Sequence, residues 1–401
     1  MPSGSPTVVP LSIDADVDHD TANSTDRPFR RIASCINSMS VTGGSELNAV
    51  RTAEQLAQRG HSVVAVTLTS DTGGMAVRYR AAGIPVHGFP VRSLIGVGAF
   101  QQLRRAAKFF RDMDIDVVHA HDCYSNFLMV LAARLAGVAV LASKRWIYQT
   151  FPQHRYTDWF AFHLADGVLA NSDEVRRTVE RAERVSANRI TVIPNFLDDD
   201  LFGAHADRSE WRSRFGLSDD ALVFCIVAQL RPEKNHGLLL EAFALIAREF
   251  VTARLLIVGD GPERERIEQA VDRLHLQGVV HMTGYLPRAG LAFSAADVAV
   301  LPSQHEGFPN SVIEAMATGT PVIASAVGGI RDALTSGETG LLIPPNDVSA
   351  LATAMRALAL DPSLRRNLGV RAQVVADSRY RASSVIPRLE QLYTNILGAR
   401  A

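Results

Sequence analysis

Short apolar runs alternate along the chain with longer stretches in which apolar residues recur every three or four positions. The short runs predict β-strands and the longer stretches predict helices. In the first half, strands are predicted at 31–37, 61–68, 84–88, 117–121, 138–142, 167–170 and 190–193, with helices near 45–59, 98–112, 124–136 and 172–185. This alternation is typical of a parallel sheet that is covered by helices on both faces.

A second series of the same kind begins after about residue 205. Strands are predicted at 222–227, 254–258, 279–283, 298–301 and 321–324, with helices near 237–249, 263–274, 287–295, 311–318 and 347–359. The pattern therefore predicts an α/β protein with two Rossmann-like, doubly wound domains, 29–200 and 201–380, linked through the polar stretch 195–207. Ligands of such sheets bind beyond the carboxyl ends of the strands, so we expect the site in the cleft between the two domains.

The two ends of the chain differ from this pattern. Residues 1–28 are rich in Asp, Ser and Pro and predict a mobile tail that carries no secretory signal. Residues 381–401 contain an amphipathic helix near 384–397, which we expect to bury its apolar stripe by crossing back to the first domain. The apolar stretch 127–142 is interrupted by Arg134 and Gly137, so no segment predicts a membrane span.

Charge and cysteine content exclude several classes of protein. The 41 basic and 42 acidic residues give a net charge of −1, which excludes a uniformly basic nucleic-acid clamp and an acidic disordered chain. The three cysteines are far apart and predict neither a disulfide framework nor a zinc site.

Residues 27–205 hold 21 Lys+Arg and 16 Asp+Glu, a net charge of +5. Two basic clusters lie in that half: Arg104, Arg105, Lys108 and Arg111 on one helix, and Lys144-Arg145-Trp146 after a strand. They indicate either an anionic membrane surface or phosphate-bearing acceptor, or solvated charge.

The most informative segment runs from residue 301 to 317. Glu306 follows a predicted strand, and Glu314, eight residues on, is placed in the first turn of the next helix. The unpaired amides of a helix N-terminus bind anions, and carboxylates beside them can accept hydrogen bonds from sugar hydroxyls. Two other interpretations stay open: Ser311 and Glu314 match a capping box, and Glu306 could be a solvated loop carboxylate.

Other candidates lie at predicted strand ends. Lys234 follows the first strand of the second domain and is one of only three lysines in the chain. A lysine there would stabilise a departing diphosphate, whereas the alternative is a surface lysine. Gly44 belongs to a Gly-Gly loop that either approaches a ligand or forms a plain tight turn. His119 and His121 share one strand face, with His121 at the carboxyl end. D-x-D patterns at 112–116 and 198–200 are short enough to occur by chance.

The segment Glu306-Gly-Phe-Pro-Asn-Ser-Val-Ile-Glu314 resembles the Glu-x7-Glu signature of retaining glycosyltransferases of family 4 (glycosyl transferases group 1), which have the GT-B fold. The resemblance extends in order over about residues 30–380. Its further motifs are Gly43-Gly44-Ser45-Glu46, Asp116-Val-Val-His-Ala-His121, Asn171-Ser172, Ile193-Pro-Asn195, Val258-Gly-Asp-Gly-Pro262, Gly319-Thr-Pro-Val-Ile-Ala-Ser325, Gly328-Gly329 and Gly340-Leu-Leu-Ile-Pro-Pro345.

The resemblance assigns roles to particular residues. It implies that His121, Lys234 and Glu306 are catalytic and that His119 is structural. It implies a donor-binding set of Gly44, Arg231, Lys234, Gly307, Phe308, Pro309, Asn310, Ser311 and Glu314. It implies no obligatory metal and no cofactor besides the substrate. One position departs from the family pattern, since Gln229 stands where the family usually has arginine. Two steps along a strand would place Arg231 on the same face as Gln229, and whether Arg231 replaces the missing charge is left open.

The implied activity is a hexosyltransferase-type transfer, with retained configuration, from a nucleotide-diphosphate sugar to a hydroxyl acceptor. The acceptor would be a glycolipid, a lipid-linked saccharide or a polysaccharide precursor, and the expected location is cytoplasmic and peripheral at the inner face of the cell membrane, with no nucleic-acid partner. A nucleotide-sugar epimerase of the same fold and a non-catalytic sugar-nucleotide-binding subunit remain as alternatives. A pyridoxal-phosphate phosphorylase is disfavoured because no lysine lies late in the second domain.

Overall fold

The computed structural model describes residues 30–39, 43–69, 73–146, 152–202 and 207–400. The tail at 1–28 therefore lies outside the described residues. Within the described part, seven parallel strands form a first sheet of order β3-β2-β1-β4-β5-β6-β7. These strands are β1 (Arg31–Ile36), β2 (Ser62–Thr67), β3 (Val86–Gly88), β4 (Val117–Ala120), β5 (Ala139–Lys144), β6 (Gly167–Ala170) and β7 (Ile190–Val192). The helices that accompany them are α1 (Gly44–Gln58), α2 (Gly74–Ala81), α3 (Val97–Asp112), α4 (Cys123–Ala136), α5 (Pro152–Leu164) and α6 (Asp173–Ala182).

Six further parallel strands of the described part form the second sheet, in the order β10-β9-β8-β11-β12-β13. They are β8 (Leu222–Val227), β9 (Ala253–Val258), β10 (Val280–Gly284), β11 (Val298–Leu301), β12 (Val322–Ser325) and β13 (Leu341–Ile343). Their helices are α7 (Arg208–Arg214), α8 (His236–Glu249), α9 (Arg264–Arg273), α10 (Asn310–Ala317), α11 (Ile330–Ala333), α12 (Val348–Leu360), α13 (Pro362–Arg379) and α14 (Ala382–Gly398). The α/β class and the two doubly wound domains predicted from the sequence are confirmed.

The sequence pattern missed several elements, and each has a physical reason. Helices α2, α5 and α7 carry polar residues through much of their length, which hides the apolar stripe. Strand β13 has three residues, too few to show a period. Residues 289–295 form a 3₁₀-helix where an α-helix was expected.

Among the residues that the structure describes, three apolar cores hold these layers together. One fills both faces of the second sheet, and the other two lie on opposite faces of the first sheet. The apolar face of α14 belongs to the core that also contains α1, α2 and β1, so this last helix packs on the first sheet. Polar contacts flank it: Glu390 accepts from Arg59 at 2.7 Å, and Tyr393 Oη lies 2.8 Å from His119 Nδ1.

Each sheet has a topological switch point, where the chain connections from two neighbouring strands run in opposite directions. The crevice at the carboxyl ends of these two strands is where ligands of such sheets bind. The switch point lies between β1 and β4 in the first sheet and between β8 and β11 in the second. The loops that follow these four strands carry Gly44, His121, Lys234 and Glu306. The topology alone therefore brings the predicted residues to the two switch points.

Candidate functional site

The carboxyl edges of the two sheets face each other closely. A Cβ atom added to Gly307, in the loop after β11, would lie 2.0 Å from the backbone oxygen of Arg145, in the loop after β5. Asn195 Nδ2 donates to Asn310 Oδ1 at 2.8 Å, and Asp332 Oδ2 accepts from the backbone N–H of Asp173 at 2.7 Å. The loops with the most specific motifs are thus in direct contact across the cleft, in a closed arrangement.

On the side of the second domain, Lys234 and Glu306 form the centre of the site. Lys234 Nζ lies 2.5 Å from Glu306 Oε1, and the same oxygen accepts from Ser303 Oγ at 2.8 Å. The loops that carry Lys234 and Glu306 are tied by a backbone bond, because Gln304 N donates to Glu233 O at 2.8 Å. Glu306 is buried, so it is not the solvated loop carboxylate that was left open above.

Glu314 is also buried, but the capping-box interpretation of it is wrong. Helix α10 begins at Asn310, Pro309 precedes it, and no side chain caps its N-terminus. Glu314 is the fifth residue of the helix, so it lies beyond the first turn. Burial raises the pKa of its carboxyl group, while the charge of Arg51 opposes that shift. Its carboxylate packs against Gly290, where an added Cβ would lie 2.9 Å from Glu314 Cδ.

The remaining predicted donor-binding residues surround this pair. Phe308 is buried and packs edge-on against Tyr380, with ring centroids 5.6 Å apart, which anchors the loop. Asn310 and Ser311 form the first turn of α10, where unpaired backbone N–H groups concentrate. Gly44 opens helix α1, and a Cβ added to it would meet Asn310 Nδ2 at 3.4 Å.

Arg231 lies at the start of the 3₁₀-turn that carries Lys234 and remains partly exposed. The strand-period argument for it does not apply, because β8 ends at Val227, before both Gln229 and Arg231. The charge of Arg231 lowers the pKa of Glu46 across the cleft, but burial outweighs it and the pKa of Glu46 is raised. A positive charge is therefore present at this edge of the site.

On the side of the first domain, His121 follows β4 and is fully buried. Its Nε2 lies 3.0 Å from Ser34 Oγ, and its ring stacks on His119 with centroids 3.9 Å apart. Burial, together with the charge of Arg145, lowers the pKa of both imidazoles well below the usual value. His121 is therefore uncharged at neutral pH. His119 lies between Tyr393 and Ser143, each at 2.8 Å, which fits a structural role.

One basic cluster predicted at the surface is buried instead. Lys144 forms ion pairs with Asp158 and Glu183, and the Arg145 guanidinium donates to Asn195 Oδ1 at 2.8 Å. Neither cation is available to a membrane. The basic residues of α3 remain at the surface, with Lys108 paired to Asp112 at 2.7 Å.

Several residues at the cleft were not singled out from the sequence. Asn195 was visible only as part of a resembling motif, whereas Arg51 gave no signal because it is one arginine within an amphipathic helix.

In the part of the chain that the structure describes, no group of three or more His, Cys, Asp or Glu is arranged to hold a metal ion. None of the described helices is long and apolar enough to cross a membrane.

The fold and the facing sheet edges define a two-domain, GT-B-type protein, and comparisons with known proteins agree. Residues 42–201 match Glycosyltransferase Family 4, and residues 207–375 match Glycosyl transferases group 1. The chain is 31% identical over 372 residues to a D-inositol 3-phosphate glycosyltransferase of Kineococcus radiotolerans, covering 82% of this chain and 85% of that protein.

Two further similarities extend the comparison. The chain is 27% identical over 370 residues to the N-acetyl-alpha-D-glucosaminyl L-malate synthase of Bacillus anthracis, covering 88% of this chain and 94% of that protein. The crystal structure of Anabaena Alr3699/HepE in complex with UDP and glucose has a TM-score of 0.79 at 21% identity, covering 91% of this chain and 99% of that chain, and shows the shared fold. The chain belongs to the family 4 glycosyltransferases, the glycosyl transferases group 1 family.

Proposed function

We propose that this glycosyltransferase moves a hexose from a nucleotide-diphosphate sugar to a hydroxyl acceptor with retention of configuration. The observation that carries the proposal is the convergence of Lys234, Glu306 and the first turn of α10 at one switch point. An ammonium group and unpaired amides suit a diphosphate, whereas Glu306 and Glu314 suit hydroxyl groups of the sugar and ribose.

The chemistry follows from these charges. As the bond between the sugar and the diphosphate breaks, negative charge grows on the leaving phosphate, and Lys234 with the amides of α10 stabilises it. Glu306 is already held by Lys234 and Ser303, so we assign it to binding and electrostatic stabilisation instead of nucleophilic attack. The acceptor oxygen then forms a bond to the anomeric carbon on the face that the diphosphate leaves, and its proton passes to the leaving phosphate, so the configuration is retained. No obligatory metal is required by this scheme.

His121 contributes from the acceptor-side domain. Because its imidazole is buried and uncharged, it can exchange a hydrogen bond with a sugar hydroxyl without adding charge to the site. The closed contact between Gly307 and Arg145 keeps water out of the reaction, which protects the oxocarbenium-like centre from hydrolysis.

Proteins of similar sequence or fold support the donor class. Anabaena HepE was crystallised with UDP and glucose, and the relatives named above are glycosyltransferases for D-inositol 3-phosphate and a synthase of a glucosaminyl malate. They differ in acceptor, so they support a nucleotide-sugar donor without selecting one acceptor.

We assign the acceptor to the lipid-linked class from the surface near the cleft. Exposed apolar residues occur beside the carboxyl edge of the first sheet, in the loop before α3, on α3 and α5, and after β5. They are Ile95, Val97, Phe100, Trp146, Tyr156, Trp159 and Phe160. Arg104 lies over the Phe100 ring at 5.8 Å, so positive charge adjoins this apolar surface. Apolar and basic residues together suit an anionic membrane surface at which a glycolipid acceptor is presented.

The donor assignment is tested by mixing the protein with candidate nucleotide sugars, with and without lipid or glycan acceptors, and measuring released nucleotide and product. Lys234→Ala and Glu314→Gln should each lower transfer by about a hundredfold or more, as expected for loss of a group that stabilises developing charge or positions the donor. Arg356→Ala is the control, because it removes an exposed cation of α12 in the second domain, outside the loops that form the site and outside the proposed membrane surface. Full activity in both folded site variants would refute the assignment.

The same assay separates the alternatives. Donor conversion without an acceptor would indicate an epimerase, and binding without turnover would indicate a non-catalytic subunit. Retention is read from the anomeric coupling of the product by ¹H NMR.

The membrane assignment is tested by flotation with vesicles that contain or lack anionic lipid. We expect binding to anionic vesicles only, and weaker binding after Phe100→Ser with Ile95→Ser. Val251→Ser is the control, because Val251 is an exposed apolar residue of the second domain. Equal binding of all forms would contradict the proposed surface.

A further inference from the structure

Arg51 is a buried cation that links three parts of the molecule. It lies on α1 of the first domain and is 5% exposed. Its Nε donates to Asp198 Oδ2 at 2.9 Å, in the segment between the two domains. Its Nη2 lies 3.9 Å from Glu314 Oε1, on α10 of the second domain. The acceptor-side domain thus contacts the carboxylate proposed to bind the donor ribose.

The geometry leaves Glu314 with capacity for a ligand. At 3.9 Å the contact with Arg51 is an ion pair and is too long for a hydrogen bond. Within the described part of the chain, Arg51 Nη1 is buried without a hydrogen-bond partner. Because an ionised carboxylate accepts through both oxygens, an ion pair without a hydrogen bond leaves the acceptor capacity of Glu314 to hydroxyl groups of a ligand.

We propose that Arg51 is a positioning residue that orients the Glu314 carboxylate toward the ribose hydroxyls of the donor. The acceptor-side domain then contributes to nucleotide recognition only when the two domains close. This inference rests on the donor assignment proposed above and extends it to a residue of the other domain.

Charge explains why Glu314 needs such a partner. Its carboxylate is buried and lies in the field of a second carboxylate, Asp198, and both conditions favour uptake of a proton. Arg51 opposes that uptake. A protonated Glu314 would lose acceptor capacity, so removal of Arg51 should weaken the recognition of ribose hydroxyls specifically.

The test compares ribonucleotides with their deoxy forms. Binding of UDP, GDP and ADP is measured by calorimetry at pH 7.5, and the tightest of them is then compared with its 2′-deoxy and 3′-deoxy forms. In the wild type, loss of a hydroxyl that bonds to a charged group should weaken binding by tenfold or more. In Arg51→Met we expect this ratio to fall to about threefold or less, because the charge that orients Glu314 is gone.

Arg78→Met is the matched control. Arg78 also approaches Asp198, at 3.6 Å, and pairs with Glu54 at 2.6 Å, and neither of these ion pairs involves Glu314. The Arg78→Met variant removes a cation that interacts with the same carboxylate, Asp198, so it shows whether loss of any such cation weakens nucleotide binding. The ribose discrimination ratio should stay as in the wild type.

A second variant and a measurement at a second pH distinguish the loss of positive charge at position 51 from a general disturbance of packing. Arg51→Lys keeps the charge and should retain most of the discrimination. Arg51 both orients the Glu314 carboxylate and opposes its protonation, so raising the pH to 9 should restore only the part of the ratio that Arg51→Met loses through protonation of Glu314. Arg51→Met with Glu314→Gln removes both charges and should show no discrimination at either pH.

The outcomes separate the two proposals. If the wild type binds no nucleoside diphosphate, the donor assignment fails and this inference falls with it. If the wild type discriminates and folded Arg51→Met discriminates as strongly as the wild type at both pH values, the donor assignment stands and the role of Arg51 is refuted. Equal losses in Arg51→Met and Arg78→Met would also refute it.

Discussion

The buried histidine beside the proposed donor site should make the stability of the fold sensitive to acid. His236 opens helix α8, two residues after Lys234, and is 3% exposed. Neither of its ring nitrogens has a hydrogen-bond partner within the described ranges. Burial, and then the charge of Lys234, lower the pKa of His236 to about 4. The ring is therefore neutral in the folded protein at pH 7.

The size of the effect follows from the difference between the two states. In the unfolded chain the histidine has its ordinary pKa of about 6.5, so between pH 6.5 and pH 4 the unfolded state binds the extra proton. Stability is thus fully present above pH 6.5 and is lost as the pH falls toward 4. At about 1.4 kcal/mol per pH unit, the loss is about 2 kcal/mol at pH 5 and about 3 kcal/mol at pH 4.

Replacement by leucine removes the titrating group. Urea unfolding of wild type and His236→Leu is measured at pH 7.5, 6 and 5. We expect the difference in unfolding free energy to move by about 2 kcal/mol in favour of the variant between pH 7.5 and 5. Other titrating groups, such as Glu314 and Asp122, whose raised pKa values act in the opposite direction, cancel in this difference.

The control is Ile246→Val, because Ile246 is buried on the same helix and carries no titrating group. Its pH profile should run parallel to that of the wild type. If the His236→Leu profile also runs parallel, the folded protein protonates His236 as readily as the unfolded chain does, and the reasoning from burial is refuted.

Three further predictions concern the cleft and the last helix. Gly307→Ala would place a Cβ 2.0 Å from the Arg145 backbone oxygen, so transfer should fall at least about tenfold, and wild-type kcat would contradict the closed contact. Gly290→Ala should displace the Glu314 carboxylate and weaken nucleotide binding about three- to tenfold in calorimetry, with thermal stability nearly unchanged. Tyr393→Phe removes the bond to the buried imidazole of β4 and should cost about 1 to 2 kcal/mol in urea unfolding, whereas no loss would show that this bond is not needed.

Most strands and helices of the fold could be predicted from local sequence patterns. Apolar runs in β1, β8 and β11 and the apolar stripes of α1 and α4 are strong because each strand is buried on both faces and each helix packs on one side. Polar or very short elements were missed, because packing against neighbours supplies the stability that their own pattern does not show. Element boundaries shifted by one to three residues, because the ends of helices and strands fray.

The candidate site was likewise predictable in part from the sequence, and the rest required the structure. The order of strands places Lys234 and Glu306 at one switch point, and their motifs were visible because the loops that hold them are continuous in sequence. The role of Glu314 was ambiguous, since Ser311 and Glu314 fit a capping pattern by spacing alone. Only the coordinates show that α10 begins at Asn310 and that the carboxylate is buried.

The sequence by itself determined the two α/β domains and the family, and it predicted the loops that we propose to bind the donor, because these depend on local periodicity and on contiguous motifs. The tertiary structure alone decided which charges are available. Lys144 and Arg145 follow a strand and read as surface cations in the sequence, but both are buried in the structure. Arg51 carries no distinguishing motif in its helix, yet it contacts Glu314, which lies 263 positions later in the chain. Burial and pairing between distant residues depend on how layers pack, and a linear pattern does not contain that information.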